Sequence, residues 1–274
     1  MNDPNGTPLR RPGEGERPRS YKTEALVVRS RAVREADRLI TVLTPSLGKL
    51  PVTVRGARRI KSRLGGHLDV FNHVHLTLAL GHRVDVVTGA ESIESFGRLK
   101  ADLDRLAVGL YIMEMADSLL PEASPHPGAY VLLLEAVRAL DLGAEPDAVA
   151  RYVELKMLED SGYQPELMRC QVCGRTIEPE HHRFAPGLGG VVDDTCAVPV
   201  GQVLALSVNA LKVLRHYHRS RLADAVGVAL SADLRDELEH LLGVQLHLVL
   251  EREMASAEFI EHLRRLRRRR SWPL

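Results

Sequence analysis

Cysteine is nearly absent from this chain: three residues in 274, at Cys170, Cys173 and Cys196. Three thiols cannot frame a disulfide-built extracellular fold. A C-x2-C pair among them points instead to a metal site in a reducing compartment, and cytoplasm is the compartment expected. Aromatic residues make up only 4% of the chain, so the apolar mass is Leu, Val and Ala. No run approaches the roughly 18 apolar residues of a membrane span, and no membrane partner is expected. Residues 1–20 hold Pro, Gly, Arg and Glu without an apolar stretch. They read as a disordered tail and not as a signal peptide. Catalytic signatures are missing as well. There is no Walker A loop, no G-x-S-x-G and no H-E-x-x-H, and "EHHRF" lacks the glutamate that nucleotide deaminases place two residues after a zinc-binding histidine. The expectation is a protein that is not an enzyme and has no small-molecule substrate.

Charge is present but unevenly spread. The net formal charge is only +1, yet Lys22 to Arg63 carries 11 Lys/Arg against 3 Asp/Glu, while Leu64 to Leu263 carries 16 against 30. The end, "RRLRRRR", adds six arginines. A basic lobe beside an acidic body suits a polyanion partner, because neutralising phosphates releases counterions.

Residues 23–96 read as strands. "LITVLTPSLGKLPVTVRG" places two β-branched runs around a turn, a hairpin signal. "VHLTLAL" puts Val74, Leu76, Leu78 and Leu80 on one face at period two. Five or so short strands in this span suggest a small closed barrel, since closure removes exposed edges. After Phe96 the period turns helical. "DLDRLAVGLYIMEMADSLLP" starts at an Asp cap and stops at Pro121; further helices stop at Gly143 and Gly162. Beyond the cysteine segment, Ser207 caps one helix and Ser231 opens the last. The fold class is therefore α+β: a β-barrel, then an all-α body with an inserted cysteine module.

In that module Cys170 and Cys173 have the spacing of a zinc knuckle, and Gly174 suits the turn. If a second x2-spaced pair ends at Cys196, its first member is Asp193, giving C-x2-C-x19-D-x2-C. Asp193 is the fourth zinc ligand by spacing; Asp194, His181 and His182 compete by type. One zinc per chain is the cofactor expected.

"TEALVVRSRAVREADRLITVLTPSLGKLPVTVRGARRIKSRLGGHLDVFNHVHLTL", with its Glu35-to-Leu39 run, "LTPSLGK" and "RGARRIKS", resembles the N-terminal domain of the RecO family of bacterial recombination mediators. "YVELKMLEDSGYQPEL" and "LEREMASAEFI" are RecO-like too. The resemblance implies an OB-fold DNA-binding domain over 21–97, a helical domain over 98–166 and 202–262, and a zinc-finger-like module over 167–201 that usually bears four cysteines; 263–274 would be a basic tail. It implies binding of single- and double-stranded DNA, annealing of complementary strands, and loading of RecA onto strands coated by single-strand binding protein, with RecR, at the nucleoid.

The expected DNA-contacting set is Arg29, Arg31, Arg34, Lys49, Arg55, Arg58, Arg59, Lys61 and Arg63. Tyr21, Phe71 and Phe96 read as core, so phosphate contacts should outweigh stacking. The acidic, aromatic-tipped tail of single-strand binding protein is expected on the helical body. Arg138 and Arg151 are its expected anchors, each flanked by apolar residues. Competing readings are a zinc-ribbon transcription regulator and a zinc-dependent nucleic-acid hydrolase.

Overall fold

The computed structural model describes residues 20–33, 35–57, 64–178, 182–197 and 201–270, with side chains to residue 266. Five strands open the chain: β1 (Ser20–Val33), β2 (Asp37–Thr44), β3 (Gly48–Val54), β4 (His73–Ala79) and β5 (Asp85–Glu94). Their order is β1-β2-β3-β5-β4, and β4 pairs back onto β1, closing a barrel. One long strand serves two neighbours. Ser20 to Leu26 pairs with β4, and Leu26 to Val33 with β2, across an irregularity between Val27 and Arg29. The β3–β5 closure is parallel at Val52↔Asp85 and Thr53↔Val86. Alternating apolar residues fill the interior: Ala25, Val27, Ile40, Val42, Val52, Val54, Val74, Leu76, Leu78 and Val87 are all buried. Leu80 departs from the expected pattern. β4 ends at Ala79, and Leu80 is 50% exposed in the turn that follows.

The β2–β3 turn is held by Thr44, whose hydroxyl donates to the Gly48 carbonyl and accepts from the Leu47 amide. Gly48 has φ +72°, and a Cβ there would stand 1.9 Å from the Ser124 carbonyl oxygen. Only glycine meets both demands.

The helical body comprises α1 (Gly97–Ala101), α2 (Leu103–Leu119), α3 (Pro127–Leu142), α4 (Pro146–Asp160), α5 (Val208–Arg219), α6 (Leu222–Ala225), α7 (Ala232–Leu250) and α8 (Ala255–Arg270). The starts follow their caps. Asp102, Ser207 and Ser231 each accept from backbone amides of the first turn, as orphan helix donors require. Pro127 and Pro146 stand at first helical positions, where a missing N–H costs nothing. Residues 263–270, expected as the start of a basic tail, continue the helix α8. α8 docks because Arg264 reaches Asp147 of α4 and Glu239 of α7, both at 2.6 Å.

The cysteine segment is more ordered than its loop-rich sequence suggested. β6 (His182–Ala185), β7 (Gly190–Asp193) and β8 (Leu204–Ala205) form a small sheet in the order β7-β6-β8. Its apolar residues Leu167, Ile177, Phe184, Val191 and Val192 belong to the same buried cluster as the helices.

Barrel and helices meet through Phe71. This residue has φ +75° and is 2% exposed; its ring lies in the helical core with Leu26, Val28 and Leu43 of the barrel wall. A methyl group at Gly109 of α2 would come within 3.0 Å of that ring. Gly109 therefore admits Phe71 by lacking a side chain. Phe71→Ala should destabilise the chain by about 3–5 kcal/mol. Gly109→Val should cost about 1–3 kcal/mol through overpacking. Urea unfolding of both variants measures this; wild-type midpoints would contradict the joint.

Candidate nucleic-acid interface and metal centre

The barrel carries its described cations on the outside. Arg29 and Arg31 are two residues apart on β1, opposite Thr41 and Leu39 of β2, so their side chains share a face. Arg29 is 62% exposed in its side chain while touching Asp117 at 3.0 Å; Arg31 is exposed. Arg55 follows β3, is exposed, and lines a shallow cleft of about 270 Å³ with Arg38, Asp37, Val33 and Thr53. The Asp37 carboxylate accepts from the Gly56 amide at 2.9 Å and sets the direction of this turn. Arg38 faces Asp69 at 3.4 Å and joins Arg55 at the cleft. Arg34, Arg58, Arg59, Lys61 and Arg63 lie outside the described residues.

Lys49 departs from the expected set. It is 7% exposed, its ammonium lies 3.3 Å from the Asp117 carboxylate, and it donates to the Asp117 carbonyl. A buried ammonium so held is structural, because leaving its partner would strand a charge.

The thiols of Cys170, Cys173 and Cys196 lie within 4.8 Å of one another. Thiolates on one tetrahedral zinc at 2.3 Å would stand about 3.8 Å apart, so the set fits a single ion. The turn that builds it is local. Gly174 has φ +72° and donates to the Cys170 carbonyl, while the Cys170 amide donates to Arg175. Cys170 is buried, Cys196 is half-buried and Cys173 is exposed. A hydrogen bond from Arg175 brings the Cys173 thiol down to about 7.

Asp193 stands outside this cluster among the described residues. Its Oδ1 accepts from the Thr195 amide at 2.9 Å and the Thr195 hydroxyl at 2.5 Å, capping a short 3-10 turn, while its own amide donates to Cys170 Sγ at 3.3 Å. The same spacing that suggested a ligand is thus spent on a cap and on the second shell. Arg183 holds Asp194 at 3.0 Å, and His182 is buried on β6 opposite Asp193. His181 lies outside the described residues.

Arg138 and Arg151 both have carboxylate partners within the fold. Arg138 clamps both oxygens of Glu94, at 3.0 and 2.6 Å, tying α3 to β5. Arg151 is 5% exposed and pairs with Glu154 at 2.6 Å, three residues on. Arg138 keeps 43% of its side chain exposed beside Glu94, whereas burial leaves the Arg151 guanidinium out of reach of a peptide.

Two family models match the chain. "Recombination protein O N terminal" covers residues 19–96, and "Recombination protein O C terminal" covers residues 100–258. The chain belongs to the RecO family. Relatives named "DNA repair protein RecO" include one from Roseiflexus sp. (strain RS-1), 38% identical with 92% of this chain and 89% of the relative covered. Another, from Symbiobacterium thermophilum, is 34% identical over 90% of this chain and 99% of its own. A third, from Dehalococcoides mccartyi (strain CBDB1), is 32% identical over 90% and 98%. Their names carry no catalytic activity. Among the described residues no helix is long and apolar enough to cross a membrane.

The buried pair on α4 has a consequence for stability. Burial is the largest influence on Glu154 and pushes its carboxyl up to about 7, past the opposing pulls of Arg151 and the Tyr111 hydroxyl. The unfolded carboxyl titrates near 4.5. Stability carried by the protonated form is therefore present below about pH 4.5 and lost as pH rises through about 7. Glu154→Gln removes this titration. The stability of wild type minus that of the variant should fall by about 2–3 kcal/mol between pH 4.5 and 7.5. Denaturation series across that interval measure it, and a constant difference would contradict it.

Proposed function

We propose that this protein is a DNA-binding recombination mediator in repair. It holds single- and double-stranded DNA on the basic face of its barrel, anneals complementary strands and helps load RecA onto strands coated by single-strand binding protein, with RecR as partner. The observation that carries this reading is an exposed arginine face on a small Greek-key barrel in a chain of the RecO family. The strand order is the one expected of an OB-fold, whose groove tracks a nucleic-acid backbone. The barrel's aromatics support phosphate contact over stacking: Phe71 and Phe96 are buried, and Tyr21 donates to Asp85 at 2.7 Å. A protein gripping phosphates treats all sequences alike and lets bases re-pair.

The interface proposed is Arg29, Arg31, Arg34, Arg55, Arg58, Arg59, Lys61 and Arg63, with Arg38 added and Lys49 withdrawn. The three thiolates hold one zinc, which pins the 170–175 turn against the end of β7 and has no part in chemistry on DNA. Asp193 supports Cys170 from the second shell. The helical body remains the place proposed for the tail of single-strand binding protein, without Arg138 and Arg151.

Four measurements test this. Log affinity for a single strand should fall linearly with log salt, by about 0.7 per phosphate contact, and Arg31→Ala with Arg55→Ala should flatten that slope by about 1.4 for any sequence. Complementary oligonucleotides, bare or coated, should anneal faster with the protein than without it. Zinc should be present at about one per chain in protein purified under reducing conditions without chelator. Cys173→Ser should lower zinc retention sharply while Asp193→Ala retains most of it; the reverse order would restore Asp193 as a ligand.

A further inference from the structure

Annealing needs two strands, and the barrel is not the only basic surface. A cleft of about 540 Å³ opens where the chain leaves α4, between residues 164–171 and α5. Arg169, Arg215 and Arg219 all line it. Lys212 continues the α5 side, since residues 212, 215 and 219 share one helical stripe. This cluster sits on the net-acidic part of the chain, yet none of the four cations has a carboxylate within ion-pair distance among the described residues. Glu166, the acid in the cleft wall, acts on Arg215 only at a distance: its Oε1 accepts from the amides of Met168 and Arg169 at 2.6 and 3.1 Å. His218 at the rim is matched by Glu159 at 3.6 Å. Arg215 is anchored by donating to the carbonyls of Leu167 and Ile177. That fixes its guanidinium without neutralising it.

A helix C-terminus favours cations through its dipole, which accounts for Arg219 in the last turn of α5. It does not account for Arg215 and Lys212 one and two turns earlier, nor for Arg169 across the cleft. Like charges at i,i+4 oppose each other, and Arg215 and Arg219 have that spacing. Burial and the neighbouring Arg219 together hold the Arg215 guanidinium below its ordinary value. An arrangement of unpaired cations around a cavity gains most from an anion placed between them.

We infer that Lys212, Arg215 and Arg219 with Arg169 form a second phosphodiester-binding site, on a different part of the fold from the barrel's contacts, that holds the incoming strand during annealing. The inference rests on the DNA-binding reading of the barrel. The barrel meets α2 and α3, whereas α5 packs on α4, α6 and α7, so the two surfaces belong to different parts of the molecule. The cleft favours a nucleic-acid backbone over an acidic peptide tipped with apolar rings. Its cations recur at helical-turn intervals, which suits a polymer of regular charge. Its apolar walls offer no deep pocket: Leu167 is buried, and Met168, 53% exposed, forms the open apolar surface. Gln164 and Gln171 complete the rim with amides able to bond sugar and base edges.

The test uses the full chain, short oligothymidylate and a complementary pair of mixed-sequence strands. The variant replaces Lys212, Arg169 and Arg219 with Ala and keeps Arg215, whose bonds hold the module; its melting temperature is compared with wild type as a folding control. Strands bound per chain at saturation should drop from two to one. The annealing rate should fall by about tenfold or more, the salt slope of the second binding step should flatten by about 0.7 per cation removed, and first-strand affinity should change less than about twofold. Two strands still bound, with an unchanged annealing rate, would overturn the inference. So would parallel loss of first-strand affinity, which would mean one continuous site, or an acidic peptide that displaces the second strand at equal charge concentration. A wild-type chain that binds no strand at all would overturn the barrel reading together with this one; a variant indistinguishable from wild type overturns this one alone.

Discussion

One buried charge pair ties the helical body together. Arg151 and Glu154 face each other at 2.6 Å on α4, a helix with contacts to α2, α3, α5, α6 and α7. The Tyr111 hydroxyl of α2 donates to the same carboxylate at 2.5 Å. Arg151 also faces Glu239 of α7 at 3.8 Å, and Glu239 in turn binds Arg264 of α8, which returns to Asp147 of α4. Four helices are thus joined by one polar circuit around an otherwise apolar core. Replacing such a pair by well-packed apolar side chains would be close to neutral, but removing one partner strands the other in low dielectric at about 3–5 kcal/mol. The circuit therefore selects one arrangement of α2, α4, α7 and α8.

That arrangement decides where the barrel sits. α2 presents Gly109 to Phe71, and the adjoining seam is polar. His73 lies 3.1 Å from Glu94 and 3.0 Å from the Tyr130 hydroxyl, while Arg138 clamps the same Glu94. On the other side Lys49 is locked to Asp117 and the Ala123 amide donates to the Lys49 carbonyl. Cations that would otherwise serve the outside are consumed in holding barrel to body. What remains exposed on β1 and after β3 is an arginine face, with the net-acidic body behind it.

The sequence made local order legible and long-range pairing illegible. Strands came from period-two β-branched runs, and helix starts from Asp102, Ser207 and Ser231, because both depend on neighbours within a few residues. The thiol cluster was readable from spacing, since a C-x2-C turn is local and Cys196 was the only thiol left to complete it. Lys49 was misread because its partner is 68 residues away. Arg138 pairs with Glu94 across the domain seam, 44 residues away in sequence, and the burial of Arg151 follows from packing that no single helix reveals. Residues 263–270 read as part of a charged tail because the docking of Arg264 depends on Asp147 and Glu239, and neither is near it in sequence. Asp193 shows the limit of spacing itself: the interval suited a metal ligand, but the Thr195 amide and hydroxyl compete for the same carboxylate and hold it.

The cysteine module shows why three thiols suffice here. A free-standing zinc finger is unfolded without metal because it has almost no core of its own. In this chain Leu167, Ile177, Phe184, Val191 and Val192 are each at most 5% exposed and packed with the helices. Burying side chains of this size contributes about 1.5–3 kcal/mol each, before the entropy of ordering the segment is counted. Backbone bonds add to this: Glu166 exchanges two with residues 189 and 191, and Gln171 donates to Val191. The module's packing thus does not depend on a fourth cysteine, because its core is shared with the helices. What the thiols still control is the exposed Cys173 turn. Arg169, which begins the backbone ladder with Thr176 that frames this turn, stands at its base. The thiol cluster and the cleft wall that carries Arg169 therefore share one stretch of backbone.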